Sequence, residues 1–435
     1  MKLRKEIYVV LVLCVFTALP SQGVNAEDTT NIAQELRLAR LNENPIKLRQ
    51  LIDQPGNDSI EFDLSKAFLE SISASDMASL GGLQNWIQNY PGAPTDMKVF
   101  AYERLGYRYM LYNHYAKAAE AFQSAFDLRQ DELGSDLHSS LVFAKIAAGV
   151  PPVRMSDTGA QGARLPIQTD FARQKRIPVS MSGHISPMIV DTGAEVSVVA
   201  QSVAEKSGLQ FLKGDVTVGT VTDDVVGQLA VASSMNVGGI IFENVLFLVL
   251  PDEMLTFAGG QYFVDGIVGL PVFAKAGQIQ WKDNTSQFLL GDTVDLDRGS
   301  SAPMFWHDAG MGLEVTYQGS PYPVFFDSGA SRSSGTLLFK GILGEKEAND
   351  LVTVEGVRTG VGGAKKTTSY KLPEVPFGFV NHVVTLKNVT VAAEKLDEAG
   401  GDIAVIGSDV PVAVQSFAID FKSMKYRVRP NKDIE

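Results

Sequence analysis

Apolar residues in the first third of the chain return every three or four positions. The stretches "IAQELRLARLNENPIKLRQLI" (32–52) and "FAYERLGYRYMLYNHYAKAAEAFQSAFDL" (100–128) carry this period, with Ala, Leu and Tyr prominent and few β-branched runs, which predicts amphipathic helices. Past residue 150 the pattern changes to alternating Val, Ile, Thr and Phe punctuated by glycine, as expected of strands and turns. Between them lies "GVPPVRMSDTGAQGARLP" (149–166), bracketed by prolines and rich in small polar residues, the composition of an interdomain linker. The expected order is a leader at 1–26, a helical domain at 27–150, a linker at 151–165 and a β-rich remainder. The fold class is therefore multi-domain, α followed by all-β.

Within the helical part, Tyr102, Leu105, Gly106, Tyr109, Ala118, Phe122 and Ala125 fall at the spacing of a tetratricopeptide repeat, so residues 99–132 resemble one such unit. The small residues let two antiparallel helices approach, and the aromatics fill the gap between them. The proline usual near the end of that repeat is absent. One unit cannot bury its own apolar face, so its neighbours must be degenerate helix pairs. Such an array is expected to offer a binding groove whose ligand the sequence does not name: it recruits substrate, docks a protein partner or masks a site elsewhere in the chain.

The leader sets the compartment. Lys2, Arg4 and Lys5 precede thirteen largely apolar residues from Ile7 to Leu19, and the small-residue positions Val24 and Ala26 precede Glu27. This reads as a secretory signal peptide, too short to span a bilayer. The one cysteine, Cys14, lies inside it, behind Leu13 where lipoprotein processing wants a small residue. The exported chain then has no thiol, disulfide or cysteine metal site, and the expected location is periplasmic or secreted. No later run approaches the ~18 apolar residues of a membrane span.

Loss of the leader leaves 35 basic against 49 acidic residues, and so acidic a surface is a poor partner for nucleic acid. The five histidines, His114, His138, His184, His307 and His382, stand singly with no metal-ligand spacing. Neither metal nor cofactor is expected.

Candidate chemistry comes from a short motif, Asp followed by Thr or Ser and then Gly, which occurs at Asp157, Asp191 and Asp327. Aligning "VSMSGHISPMIVDTGA" (179–194) with "VTYQGSPYPVFFDSGA" (315–330) matches Val179 with Val315, Gly183 with Gly319, Pro187 with Pro323 and Asp191 with Asp327. Each copy has a serine six residues after the aspartate, Ser197 and Ser333. Each then has a second glycine behind an apolar pair, Gly269 in "GIVGLPVF" and Gly407 in "AVIGSDVP", and closes on an apolar strand with a lysine, "IQWK" and "IDFK". The β half is thus an internal duplication, with lobes expected at 166–298 and 299–435. Asp157 follows Arg154, Met155 and Ser156 instead of an apolar strand and has no second glycine left to it. It is assigned no chemistry.

An apolar strand carries each remaining aspartate into a tight turn, where glycine permits an approach that a side chain would obstruct. The hydroxyl of Thr192 or Ser328 can satisfy nearby backbone groups and tie two such loops together. Two carboxyls brought to one axis share a proton and titrate as a pair. One acts as base toward a water while the other, protonated, hydrogen-bonds a carbonyl, which is the chemistry of peptide-bond hydrolysis without metal or covalent intermediate.

"MIVDTGAEVSVV" (188–199) is very similar to the active-site stretch of retropepsin-like aspartic peptidases, and the resemblance extends over 166–435. It implies a bilobal β-barrel peptidase acting on protein or peptide. By position, Asp191 and Asp327 resemble its catalytic dyad, and Thr192 and Ser328 its cross-brace. Gly193, Ala194, Gly329 and Ala330 resemble the floor, and Gly269 and Gly407 the support behind it. Retroviral members supply one lobe per chain, whereas both lobes here lie in one chain as in pepsin-like enzymes, so a monomer suffices for the site. The alanine after each motif is retroviral in type. Glu195 and Ser331 stand where retroviral members contact substrate backbone, and they differ between the copies.

Flaps are expected in "VGTVTDDVVGQLAV" (218–231) and "VRTGVGGAKKTTSYKL" (357–372). Asp265 and Asp409 are read as turn-formers. The alternative function is a noncatalytic interaction protein that binds through its helices and keeps the β body as scaffold. A zymogen that sheds residues 27–165 is a further alternative, cut at the exposed linker.

Overall fold

Helix formation in the first region follows from local capping as well as period. In the computed structural model, which describes residues 8–9, 32–54, 59–129, 135–156, 162–219, 224–282, 285–296, 300–307, 310–393 and 401–430, this region holds seven α-helices among the described residues. They are α1 (Ile32–Leu41), α2 (Pro45–Ile52), α3 (Ile60–Ser73), α4 (Gly81–Asn89), α5 (Thr95–Leu111), α6 (Tyr115–Leu128) and α7 (Ser135–Ala147). The Asn44 side chain accepts from the Lys47 N–H at 2.9 Å while Pro45, needing no amide partner, opens α2. Ser59 caps α3 through the Phe62 N–H at 3.1 Å. The leader reading, apart from residues 8 and 9, and Asp157 lie outside the described residues.

Helices α5 and α6 form the antiparallel hairpin expected from the small-residue spacing. Asn113, at φ 60°, makes the turn between them, a conformation asparagine tolerates better than most residues. Ala118, Phe122 and Ala125 are fully buried. A Cβ on Gly106 would lie 2.3 Å from the Phe122 ring, so the helices touch where glycine allows it. Gly106→Ala is expected to destabilise the protein by about 1–3 kcal/mol through overpacking, although alanine is the better helix former by about 1 kcal/mol. Urea denaturation of the variant measures which effect wins.

The β-rich region repeats one strand plan twice. In the first copy Lys175–Met181 and His184–Val190 form a hairpin. Gly266–Val268 lies parallel to the second of these strands and antiparallel to Ser197–Ala200, and Ser197–Ala200 lies parallel to Ile240–Leu250. Ile240–Leu250 pairs with Val225–Val237, which returns to Lys175–Met181 and also carries Gln210–Val218. In the second copy these places are taken by Met311–Tyr317, Ser320–Phe326, Ala404–Ile406, Ser334–Gly335, His382–Ala392, Gly363–Phe379 and Val352–Gly360, with the same senses. Even the first turn repeats, with Ser182 and Gly183 at φ 49° and 82° and Gln318 and Gly319 at 49° and 81°. Two positive φ values in succession suit a two-residue hairpin, and the aligned glycines supply the second.

Six antiparallel strands join the copies, in the order Ser301–Trp306, Lys425–Arg429, Ser416–Asp420, Gln278–Lys282, Gln287–Gly291 and Gly162–Pro166. At the centre of this sheet the strands holding "IQW" and "FAID" pair, with Trp281 opposite Phe417. The Trp281 ring meets Phe326, the residue before Asp327, at 5.8 Å, and Phe326 stacks on Phe417 at 5.1 Å. Both ends of the stretch read as a linker belong to sheets: Arg154–Met155 pairs with Phe242 and Glu243, and Gly162–Pro166 forms the outer strand. Among the described residues, no helix is long and apolar enough to cross a membrane.

Candidate active site

The strands His184–Val190 and Ser320–Phe326 deliver Asp191 and Asp327 into equivalent loops. The Asp191 N–H donates to the Val268 carbonyl at 3.1 Å and the Asp327 N–H to that of Ile406 at 2.9 Å, so each loop hangs from the parallel strand that ends in its second glycine. Both aspartates are fully buried.

The hydroxyls of Thr192 and Ser328 bind the loops reciprocally. The Thr192 N–H donates to Ser328 Oγ at 3.0 Å, and the Ser328 N–H to Thr192 Oγ1 at 3.0 Å. The Thr192 hydroxyl then donates to the Phe326 carbonyl at 3.0 Å and that of Ser328 to the Val190 carbonyl at 2.8 Å. Each hydroxyl is donor and acceptor at once. Thr192→Val keeps the shape but leaves the buried Ser328 N–H and Phe326 C=O without these partners, at roughly 1–3 kcal/mol apiece. Thermal denaturation is expected to show about 2–6 kcal/mol lost in total.

Glycine at the next position brings the loops into contact. A Cβ on Gly193 would lie 2.7 Å from Asp327 Oδ1, and one on Gly329 would lie 2.4 Å from Asp191 Cγ. Backbone donors engage one oxygen of each carboxyl: the Gly193 N–H reaches Asp191 Oδ1 at 2.8 Å, while those of Gly329 and Ala330 reach Asp327 Oδ1 at 2.8 and 3.1 Å. Burial pushes the Asp191 carboxyl well above the usual carboxylate range, and the charge of Asp327 and a hydrogen bond between the two side chains push it the same way. The backbone donors oppose the shift without overcoming it. The pair is therefore stable with one proton between its members.

The second glycines sit behind these loops in matching environments. A Cβ on Gly269 would meet the Ala194 carbonyl at 2.7 Å, and one on Gly407 the Ala330 carbonyl at 2.7 Å. Their N–H groups donate to Ser197 Oγ at 3.0 Å and Ser333 Oγ at 2.9 Å, which gives the repeated serine a part that spacing alone did not reveal. Asp409 does more than form a turn, because it accepts from both the Ser333 N–H and hydroxyl, at 2.9 and 2.6 Å. Gln174, unnoticed in the sequence, is fully buried and donates from its amide to the Gly329 carbonyl at 2.9 Å. Nothing in its sequence neighbourhood marks it, since its partner lies 155 residues away.

Glu195 and Ser331 differ in surroundings as well as chemistry. Ser331 is buried, whereas Glu195 is partly buried and its charge acts on Tyr107 and Arg108 of α5. The two stretches read as flaps lie on the hairpins Gln210–Val218 with Val225–Val237 and Val352–Gly360 with Gly363–Phe379. Residues 220–223 of the first are outside the described residues.

No curated protein matches the chain. Residues 177–272, which run from the first hairpin through Asp191 and just past Gly269, match a protein-family model described as aspartyl protease. In this stretch, within the first of its two β copies, the chain is similar to aspartyl proteases.

Proposed function

We propose that this protein is an exported aspartic endopeptidase in which Asp191 and Asp327 act as one dyad, held by two retropepsin-like lobes of a single chain. The observation that carries this reading is the reciprocal hydrogen bonding of Thr192 and Ser328, which ties one loop from each copy to the other. The matching strand plans of the two copies support treating them as two barrel-like lobes, and the leader pattern supports export. The substrate is a protein or peptide, and the helical region supplies a surface for docking it or a partner.

In this mechanism a water lies between the carboxyls. The ionised member takes a proton from it as the water oxygen attacks the substrate carbonyl carbon, and the protonated member donates to the carbonyl oxygen. The tetrahedral diol then collapses as a proton passes to the leaving nitrogen and the C–N bond breaks. Gly193, Gly329 and Ala330 hold the carboxyls in place through their N–H groups, so little reorganisation is needed at the moment of reaction.

The test is cleavage of a diverse peptide library by purified residues 27–435 at pH 4 and pH 7, beside Asp191→Asn and Asp327→Asn. Cleavage by wild type with both variants silent is the expected result. Cleavage that survives in either variant would remove the dyad, and an inert, correctly folded wild type would favour the interaction protein.

A further inference from the structure

A side chain of the first β copy grips the active-site loop of the second. Gln174 immediately precedes the strand Lys175–Met181, and its Nε2 donates to the Gly329 carbonyl at 2.9 Å. A peptide group holds a carbonyl and the N–H of the next residue in one plane. Here that N–H belongs to Ala330, which donates to Asp327 Oδ1 at 3.1 Å. Gln174 therefore holds by its oxygen the same peptide group that reaches the Asp327 carboxyl by its nitrogen. A hydrogen bond at one end of an amide polarises the other, so the grip both aims and strengthens this donor.

Gln174 is fully buried and has little freedom of its own. Its N–H donates to Asp170 Oδ1 at 2.9 Å, and its carbonyl accepts from the Asp170 N–H at 3.1 Å. These bonds close a tight loop in which Arg173 takes φ 67°. Asp170 Oδ2 accepts in turn from Arg176 Nε at 2.7 Å and from the Tyr262 hydroxyl at 2.8 Å. Arg176 also donates to the Pro187 and Phe263 carbonyls, each at 3.2 Å. Its Nη1 lies 3.5 Å from Asp265 Oδ2, at the head of the strand Gly266–Val268. The brace thus stands on the hairpin that carries Asp191 and on the strand behind it, while its amide reaches across to the loop of Asp327.

The second copy has no counterpart. Strand register equates Arg176, opposite Ile189, with Gly312, opposite Phe325. The same offset equates Gln174 with Gly310 and Asp170 with Trp306. Gly310 does sit against the first loop, since a Cβ on it would come within 3.7 Å of the Thr192 carbonyl, but that Cβ would meet the Phe325 ring at 2.7 Å. The packing leaves no room there for a side chain like that of Gln174. Two loops of matching shape are consequently braced unequally.

We propose that Gln174 is a positioning residue that fixes the Gly329–Ala330 peptide group against Asp327, so that Asp327 carries the charge of the dyad and acts as base while Asp191 holds the proton. This rests on the peptidase reading above. A carboxylate is favoured where N–H donors are aimed at it, and Asp327 Oδ1 has both the Gly329 and the Ala330 N–H. Asp191 is the member that burial and the neighbouring carboxylate push toward the protonated form. The ionisable groups joined to the brace are Asp170, Arg176, Tyr262 and Asp265 of the first copy. Those at its far end are Asp327 and, against Gly329, Asp191.

Two experiments test it on residues 27–435. In the first, Gln174→Met, which keeps the bulk without a donor, and Gln174→Glu are assayed on a cleaved peptide. Gln174→Met is expected to lower kcat about tenfold or more with KM within about twofold, because small misplacements of a reacting group fall on kcat. The acid limb of its kcat profile should also move to higher pH, since a carboxylate with a poorer hydrogen bond takes up a proton more readily. A protonated glutamate can donate to the Gly329 carbonyl, so Gln174→Glu is expected to be more active than Gln174→Met at pH 4. An unmoved acid limb, a rise in KM with kcat held, or a glutamate variant no better than methionine at pH 4 would overturn the proposal. Should Gln174→Met fail to fold, Gln174→Asn, whose shorter amide falls short of the carbonyl, takes its place with the same expected and overturning results.

The second experiment is hydrogen exchange of wild type and Gln174→Met read by mass spectrometry. The segment holding Gly329 and Ala330 is expected to exchange about tenfold faster in the variant, with the segment holding Gly193 and Ala194 unchanged. Equal rates in the Gly329 segment would overturn the grip. This readout needs no catalysis: an inert wild type whose variant still shows the faster exchange removes the peptidase reading and leaves the grip in place.

Discussion

Asp191→Asn and Asp327→Asn are each expected to lower kcat/KM by about three orders of magnitude or more while leaving the protein folded and, for Asp191, more stable at neutral pH. A positioned acid or base contributes about 10²–10⁴ in rate, and each substitution removes both functions because the two carboxyls share one proton. Wild-type activity should follow a bell in pH. Below the lower macroscopic pKa both groups are protonated and no base remains, and above the upper one both are ionised and no acid remains.

The stability effect has the opposite sign. Burial and Asp327 raise the Asp191 pKa above its unfolded value, so its contribution to stability is complete below the unfolded pKa and is lost as pH rises through the raised one. Asparagine carries no charge, so Asp191→Asn is expected to melt higher than wild type at pH 7, with little difference at acid pH. Each kcal/mol recovered should appear as a rise of roughly 2–4 °C. Calorimetry of both proteins at pH 4 and pH 7 separates this from misfolding: an inactive variant that melts lower at pH 7 would mean that the carboxylate stabilises the loop, against the pairing argued here.

The parts legible in the sequence are those whose physical requirements fall close together along the chain. An apolar strand, an acid, a hydroxyl and a glycine must follow one another within a few residues to make the loop, and the duplication displays the requirement twice. Gly183 and Gly319 stood out in the sequence only as an aligned pair, and the structure supplies the reason, since a two-residue turn needs a positive φ at a fixed place. Gly106 and Phe122 stood out through the resemblance to a tetratricopeptide repeat, and the Phe122 ring does lie against Gly106.

What stayed hidden depends on distant partners. The strand Gly162–Pro166 is only five residues long with Gly and Pro at its ends, and it is a strand because Gln287–Gly291 offers it a ladder. The contact of Arg108 with His307 spans 199 residues. On α5 that arginine is one more polar residue in a helical pattern, and only the fold gives it a carbonyl partner in the second copy. The same holds for Asp409, whose place next to a second glycine suggested a turn, whereas its partner Ser333 lies 76 residues earlier.

Gly329→Ala is expected to lose more than about 100-fold in kcat with a much smaller change in KM, for a reason distinct from loss of a carboxyl. The added methyl would lie 2.4 Å from both Cγ and Oδ2 of Asp191 and 2.6 Å from Oδ1, so it lands on the opposite carboxyl as a whole. The loop has little freedom to retreat. The Gly329 N–H is held by Asp327 at 2.8 Å, its carbonyl by Gln174 at 2.9 Å, and the preceding Ser328 by Thr192 at 3.0 Å. Asp191 must therefore move, and a misplacement of about 1 Å at a reacting group can cost roughly 10²-fold.

Overpacking should also lower stability by about 1–3 kcal/mol, whereas Gly81→Ala, with nothing within 4 Å of the new methyl, should leave activity unchanged. Steady-state kinetics of the two variants side by side decide the point. If Gly329→Ala retains wild-type kcat, the loops can part under a methyl group, and the Thr192–Ser328 brace would be too weak to define the distance between the aspartates. If kcat falls while KM holds, that distance is set by backbone contact through the two glycines, and the hydroxyls serve to keep it closed.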